Sequence, residues 1–193
     1  EDTTQIIDRL SGADTSGPHL GFVAQDLAAT KTDRVFSLGV IAIEPLWLFA
    51  QATVAIRNIR DLKGRSVSIG PEGSNVRVLS KRILDLYGIT ESNTTFVNLS
   101  IADSMVALED KRIDAAFFLL SAKMPVIKRL NLQTGLQLIG IQEAEALSHK
   151  ISHLERVIIP KGAFEIRSLR PGKDIETVAL PVTMIVGKEA GDA

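Results

Sequence analysis

The sequence predicts an α/β fold built on parallel-rich sheets. Short runs of aliphatic and β-branched residues, typical of buried strands, alternate with segments in which apolar residues recur at helical spacing. This alternation continues through most of the 193 residues. Strands separated by helices form βαβ units, in which the strands lie parallel and the helices cover both faces of the sheet.

The individual elements follow from the apolar periodicity in chain order. Short polar groups that contain glycine or proline, such as residues 61–64, separate one element from the next. We predict strands over residues 20–24, 35–43, 46–50, 66–69, 95–99, 113–120, 136–141, 156–159 and 178–186, and helices over residues 3–10, 74–87, from 101 onward, 125–130 and 143–149.

The strands 35–43 and 46–50 are separated by Glu44 and Pro45. Proline has no N–H to donate to a neighbouring strand, so we expect the break to lie at a strand start or a sheet edge. A carboxylate in such an apolar stretch needs water, a partner or a ligand, because an unpaired buried charge is costly. Glu44 is therefore a candidate binding residue, and a salt bridge to a nearby arginine is the alternative.

Two helices carry capping signals. Gly88 stands where a C-terminal cap is expected for the helix 74–87. Ser100 and Asp103 form the capping-box pattern at the start of the helix that follows. On that helix the spacing predicts that the apolar residues face inward, and these are Ile101, Met105, Ala107 and Leu108.

The composition excludes several classes of protein. The chain has no cysteine, which rules out a disulfide framework, a thiolate zinc site and a cysteine nucleophile. The formal net charge is −1 and only 5% of residues are aromatic, so neither a basic face nor a base-stacking surface for nucleic acid is expected. No apolar run reaches the roughly 20 residues that span a bilayer. Residues 1–5 lack the pattern of a secretory signal, which leaves a cytoplasmic protein and one whose leader has been removed both open.

The turn over residues 70–75 is the most informative motif. It joins a buried strand to a helix, where free backbone N–H groups and the positive end of the helix dipole favour an anion. Gly73 allows close approach of the backbone, and Ser74 and Asn75 begin the helix, so a carboxylate or phosphate site is one interpretation. The alternative is that glycine and serine merely form a good turn and cap.

Arg77 and Trp47 are the other candidates that local patterns supply. Arg77 lies one turn into the same helix, where its guanidinium can reach an anion or can simply be solvated. Trp47 is the only tryptophan and follows the Glu44–Pro45 break, and it serves either as a ligand platform or as a core residue.

No pattern of catalytic residues is present. The histidines, His19, His149 and His153, show no metal-binding spacing, and we predict that the last two lie on the surface. There is no GxSxG elbow and no P-loop or dinucleotide fingerprint. We therefore predict no enzyme, no catalytic residue, no cofactor and no metal.

Several motifs taken together are more specific than any of them alone. In their order and spacing, from about residue 20 to residue 187, they resemble the TAXI family, the solute-binding subunits of TRAP transporters, which are similar in fold to type II periplasmic binding proteins. The motifs are EPLWLF at 44–49, DLKGR at 61–65, SIGPEGS at 68–74 followed by Arg77, DAAFF at 114–118 and IPKGAF at 159–164.

The resemblance implies two α/β lobes joined by two crossing strands. The first lobe with the hinge strands would comprise residues 1–50 and 180–193, and the second lobe residues 51–179. A small organic anion, such as an amino acid or a dicarboxylate, would bind in the cleft between the lobes, on the extracytoplasmic face of the membrane. The implied partners are TRAP membrane subunits, with a membrane anchor outside this chain as a further possibility. The ligand-binding residues would be Glu44, Trp47, Gly73, Ser74, Asn75, Arg77, Phe117 and Phe118.

Some features depart from the TAXI pattern. The strand and glycine-rich segment that usually precede the first helix, and the helices after Gly187, have no counterpart here, so we expect an incomplete first lobe. Asn75 and Val76 replace small residues after the turn, and Lys123 and Met124 replace small residues after the strand 113–120. A ligand-sensing or regulatory module of the same fold, within a larger membrane or transcription-regulatory protein, is the alternative function.

Overall fold

The computed structural model describes residues 6–8, 10, 20–24 and 35–187. Residues 6–8 and 10 are helical, so the rest of the helix expected over 3–10 lies outside the described residues. The strands are β1 Leu20–Val23, β2 Val35–Gln51, β3 Ser66–Ser68, β4 Thr95–Val97, β5 Ala115–Leu119, β6 Leu136–Ile139, β7 Glu155–Ile159 and β8 Ile175–Gly187. The helices are α1 Asn75–Leu86, α2 Ile101–Glu109, α3 Pro125–Leu132 and α4 Ala144–Lys150, and a 3₁₀ turn spans Ile59–Leu62.

The described strands form one sheet in the order β1-β8-β2-β5-β3-β4, with β6 also paired to β2 and β7 also paired to β8. The long strand β2 changes partners along its length. Its first part pairs with β8 up to Pro45, and its second part pairs with β5 from Leu46 and with β6 from Leu48. The strands β2 and β8 therefore run through both halves of the sheet, as expected for the two crossing strands.

The α/β class is confirmed, but the parallel part of the sheet is small. Among the described strands the only parallel pairs are β3 with β4 and β3 with β5. All the antiparallel pairs include β2 or β8. The two long strands run in opposite directions and accept partners on both sides, and this long-range pairing leaves no mark on the local sequence pattern.

The expected break at Glu44 and Pro45 is wrong. Residues 35–51 form one continuous strand, in which Glu44 lies opposite Leu180 and Pro45 opposite Ala179. The next residue, Leu46, already pairs with Leu119 of β5. Pro45, which has no N–H to donate, therefore lies where the pairing of β2 with β8 ends and its pairing with β5 begins. The strand continues through this position without a break.

Two hydrophobic clusters lie on the opposite faces of the second half of β2. Leu46 and Leu48 belong to one cluster, whereas Trp47 and Phe49 belong to the other, as the two-residue period of a strand requires. Side chains of α1 and α4 pack into the first cluster, and side chains of α2 and α3 pack into the second. The prediction that helices cover both faces is therefore confirmed for this part of the sheet.

The caps form where the sequence predicts them. Ser74 caps α1, and Gly88 follows its C-terminus with φ +65°. At the start of α2, the Ser100 hydroxyl accepts a 3.1 Å hydrogen bond from the Asp103 N–H. The inward orientation expected for Ile101 is wrong: it is 44% exposed, and the buried face of α2 is formed by Ser104, Ala107 and Leu108 instead.

The first half of β2 and strand β1 expose large apolar side chains, including Leu20, Phe22, Phe36 and Val40. On the other side of this part of the sheet, Ile7, Val23 and Ile185 form a third, small cluster. No helix within residues 6–8, 10, 20–24 and 35–187 is long and apolar enough to cross a membrane.

Candidate functional site

Several loops meet at one edge of the sheet. The parallel strands β3, β4 and β5 end there, so the turn 70–74, the segment 98–100 and the segment 120–124 lie at the same edge. The antiparallel register places Leu46 opposite Leu119, which brings Glu44 of β2 to this edge as well. Ligands of open α/β sheets bind outside the carboxyl ends of the strands. We call this region, residues 70–77, 98–100, 120–124 and Glu44, the carboxyl edge.

The turn after β3 is shaped by its glycines. Gly70 has φ +91°, and a Cβ built on it would lie 2.4 Å from Cγ1 of Val76. Gly73 also has a positive φ of +75°, but a Cβ there would meet nothing within 4 Å. A side chain at position 70 would therefore both strain the backbone and collide with Val76, whereas a side chain at position 73 would only strain the backbone.

The serine of the turn acts as a helix cap. The Ser74 hydroxyl donates to the Pro71 carbonyl at 2.6 Å and accepts from the Arg77 N–H at 3.3 Å. The structure thus accounts for Ser74 by turn and cap, which was one of the two interpretations of the motif. Within the described part of the chain, the backbone N–H groups of Gly73 and Val76 form no hydrogen bond, so these two donors remain open to an anion. Asn75 is the first residue of α1.

Arg77 is held in place at the carboxyl edge. Its side chain is only 20% exposed, and Nη2 lies 3.7 Å from the carboxylate of Glu72, which is itself 81% exposed. Nη1 donates a hydrogen bond to Oδ1 of Asn98. Arg77 is therefore not a freely solvated arginine. Sequence reasoning missed Asn98, although its position directly after β4 was the available signal.

Glu44 is half-buried at the same edge. Desolvation raises the pKa of its carboxyl group above the ordinary value. Within the described residues no arginine or lysine pairs with it, so the alternative of a local salt bridge is not realised there. Its charge is left to solvent or to a ligand.

The three aromatic residues of the predicted site are buried in the hydrophobic clusters between the sheet and the helices. Trp47, Phe117 and Phe118 are at most 2% exposed. Trp47 donates from Nε1 to the Leu120 carbonyl at 2.8 Å and packs edge-on against Phe164. Their contact with a ligand stays a prediction, and in the described structure they form the packed support beneath the carboxyl edge.

No group of three or more potential metal ligands occurs among the residues that the structure describes. His149 and His153 are exposed, which confirms the surface prediction, and His149 lies 3.3 Å from Glu145 on the same helix. His19 lies outside the described residues.

A polar cluster away from the carboxyl edge was not anticipated. Arg60 and Tyr87 donate hydrogen bonds to the two carboxylate oxygens of Glu143, at 2.5 Å and 2.7 Å. The Arg60 guanidinium also lies over the Tyr87 ring, 4.8 Å from its centroid. Desolvation acts to raise the pKa of Glu143, but the hydrogen bonds from Arg60 and Tyr87 lower it, and the net shift is downward. The pKa of Tyr87 is raised, chiefly by desolvation. The cluster fastens the 3₁₀ turn, the end of α1 and the start of α4 to one another.

Comparison with known proteins gives one family match and several structures of similar fold. The model of the NMT1-like family matches residues 24–192. The periplasmic aliphatic sulphonate binding protein SsuA from Escherichia coli superimposes with a TM-score of 0.61 at 16% identity, covering 97% of this chain and 53% of SsuA. A structure from a study of glutathione import through GshT and the cystine ABC importer TcyBC of Streptococcus mutans gives a TM-score of 0.55 at 16% identity, covering 100% of this chain and 64% of the other. The chain therefore spans less than two thirds of the length of either protein.

Proposed function

The chain belongs to the NMT1-like family, and from this membership and the carboxyl edge we propose that it is the ligand-binding part of an extracytoplasmic solute-binding protein. In this role it captures a small organic anion and presents it to membrane transport subunits. The proposal depends above all on Arg77, whose guanidinium is held by Asn98 and lies 3.7 Å from Glu72 of the turn that carries the open N–H groups. A planar guanidinium and backbone donors together suit a carboxylate.

The ligand classes that fit this edge are amino acids and dicarboxylates. One carboxylate would bind Arg77 and the turn. The half-buried carboxylate of Glu44, which has no cationic partner among the described residues, lies at the same edge. The ammonium group of an amino acid would offset its desolvation, so we favour an amino acid over a dicarboxylate.

The narrower form of the proposal concerns the transporter. The sequence motifs resemble TAXI receptors and point to TRAP membrane subunits, with a membrane anchor outside this chain as one arrangement. One structure of similar fold comes from a study of glutathione import through a cystine ABC importer, so the membrane subunits of an ABC importer are the second kind of partner. Closure of two lobes on the ligand would be the signal that either transporter detects. Co-purification of the full-length protein with its membrane subunits separates the two.

Thermal unfolding of the full-length protein tests ligand binding. A panel of amino acids and dicarboxylates is added, and a true ligand at 100 times its Kd stabilises the folded state by about 2.7 kcal/mol. Arg77→Gln removes this stabilisation, whereas the matched variant Arg112→Gln, at an exposed arginine that pairs with Asp110, retains it. If no compound of the panel stabilises the wild-type protein, the proposal fails.

A further inference from the structure

One cavity shares Ala122 and Lys123 with the carboxyl edge but includes no residue of the turn after β3. Its volume is about 530 Å³, and it opens between the start of α3 and the loop that follows β7. Small-molecule sites commonly measure about 300–1,000 Å³. From the composition of its walls, described below, we propose that this cavity binds an organic anion with an aromatic body.

The floor of the cavity is apolar and fixed. Phe164 lines it and packs edge-on against Trp47, with the ring centroids 5.7 Å apart and an interplanar angle of 65°. Trp47 is 1% exposed and is itself fixed by its hydrogen bond to the Leu120 carbonyl. An aromatic guest would therefore meet a preformed aromatic edge instead of a mobile side chain.

The wall opposite α3 is also held by hydrogen bonds. The N–H of Phe164 donates to the Arg170 carbonyl at 2.9 Å, and the N–H of Gly162 donates to the Pro171 carbonyl at 2.9 Å. The carboxylate of Asp174 accepts from the Lys161 N–H at 2.7 Å. Because these contacts tie the loop to itself, binding does not have to order it first.

The charge at the cavity is positive. Lys123 and Lys128 are the charged residues among those that line it, and both are exposed. Neither ammonium group forms an ion pair with a described residue. An aromatic body would bury apolar surface against Phe164, Ile159 and Pro160, and an acidic head would lie near the lysines. A purely inorganic ion would leave the apolar walls unused, and a cation would be repelled.

Three matched probes measure separately how much the charge and the aromatic ring of a ligand contribute to binding. The test compares 3-phenylpropionate with 3-phenylpropan-1-ol, which has the same ring without the charge, and with propionate, which has the charge without the ring. Binding is followed by the fluorescence of Trp47, which is the only tryptophan and contacts the cavity floor. We expect 3-phenylpropionate to bind about fivefold or more tightly than the alcohol, with an affinity that falls as salt is added.

The double variant Lys123→Gln/Lys128→Gln should abolish the preference for 3-phenylpropionate over the alcohol. Lys150→Gln, at an exposed lysine on α4, is the control and should retain it. Equal binding of acid and alcohol to the wild type, or an unchanged preference in the double variant, would overturn the inference. This inference and the proposed function can fail separately, although both involve the carboxyl edge, because this inference is tested at Lys123 and Lys128 and the proposed function is tested at Arg77.

Discussion

The indole N–H of Trp47 donates a 2.8 Å hydrogen bond to the carbonyl oxygen of Leu120, which lies 73 positions later in the chain. Trp47 belongs to the crossing strand β2, and Leu120 is the first residue after β5. The bond therefore ties strand β2 to a loop of the carboxyl edge. A tryptophan that looked like a possible ligand platform in the sequence thus has a defined structural contact.

Trp47→Phe should destabilise the protein by about 1–3 kcal/mol, because it removes the donor and leaves the half-buried carbonyl of Leu120 without its partner. The phenyl ring keeps most of the packing against Phe164. Urea unfolding followed by circular dichroism measures the change, and Phe164→Leu serves as the comparison for loss of the ring contact alone. An unfolding midpoint equal to that of the wild type would show that water replaces the indole at Leu120.

The glycines of the turn after β3 provide a matched pair. Gly70 and Gly73 both have a positive φ, so alanine at either position costs about 1–2 kcal/mol of backbone strain. Only at position 70 would the new methyl group also collide with Val76, at 2.4 Å. Gly70→Ala should therefore destabilise the protein more than Gly73→Ala does, as measured by urea unfolding. Equal losses of stability would mean that α1 shifts enough to admit the methyl group.

The sequence predicted the elements from residue 66 onward well because the apolar periodicity there is local. Each strand from β3 to β8 overlaps its predicted range, and the turn, the cap at Ser74 and Gly88 stand where the residues placed them. These elements and caps depend on residues that are close together in the sequence, so they can be predicted from the sequence alone.

The pairing of the long strands could not be predicted in the same way. The contact of Pro45 with Ala179 joins residues far apart in the chain, and no local pattern specifies it. The position of Asn98 beside Arg77 depends likewise on the order of β3 and β4 in the sheet. The burial of Phe117 and Phe118 follows from helices that cover both faces of β5, whereas the sequence showed only an apolar run at a strand end.

Glu44 makes stability depend on pH. Because burial raises its pKa in the folded state, the folded protein binds the proton more tightly than the unfolded chain does. This carboxyl group therefore favours folding at low pH, and its contribution is lost as pH rises from the unfolded value through the raised folded value. At pH 7 the ionised Glu44 disfavours folding, so Glu44→Gln should increase the thermal midpoint at that pH.

The gain from Glu44→Gln should shrink as pH is lowered below about 4, where the wild-type carboxyl is protonated in both states. Thermal unfolding at a series of pH values measures it. Glu155→Gln, at an exposed position on β7, is the control and should show no such gain. A decrease in the midpoint of Glu44→Gln at pH 7 would indicate that the carboxylate has a stabilising cationic partner.

The two halves of β2 should respond differently to the same substitution. Phe49 is completely buried between the helices and β5, and its ring packs edge-on against Phe118 at 6.0 Å. Phe36 lies on the same strand but is 51% exposed. Phe49→Ala should destabilise the protein by about 3–5 kcal/mol through the cavity it leaves, whereas Phe36→Ala should change stability by about 0.5 kcal/mol or less.

Urea unfolding of both variants, with the wild type as reference, decides this comparison. A large loss for Phe36→Ala would mean that its ring is covered in solution, by another part of the full-length protein or by a second molecule. Repeating the measurement over a tenfold range of protein concentration separates these cases, because only a contact between molecules makes the midpoint depend on concentration. A small loss at every concentration would mean that the Phe36 side chain contributes little to stability. The first half of β2 would then be held mainly by its backbone pairing with β8.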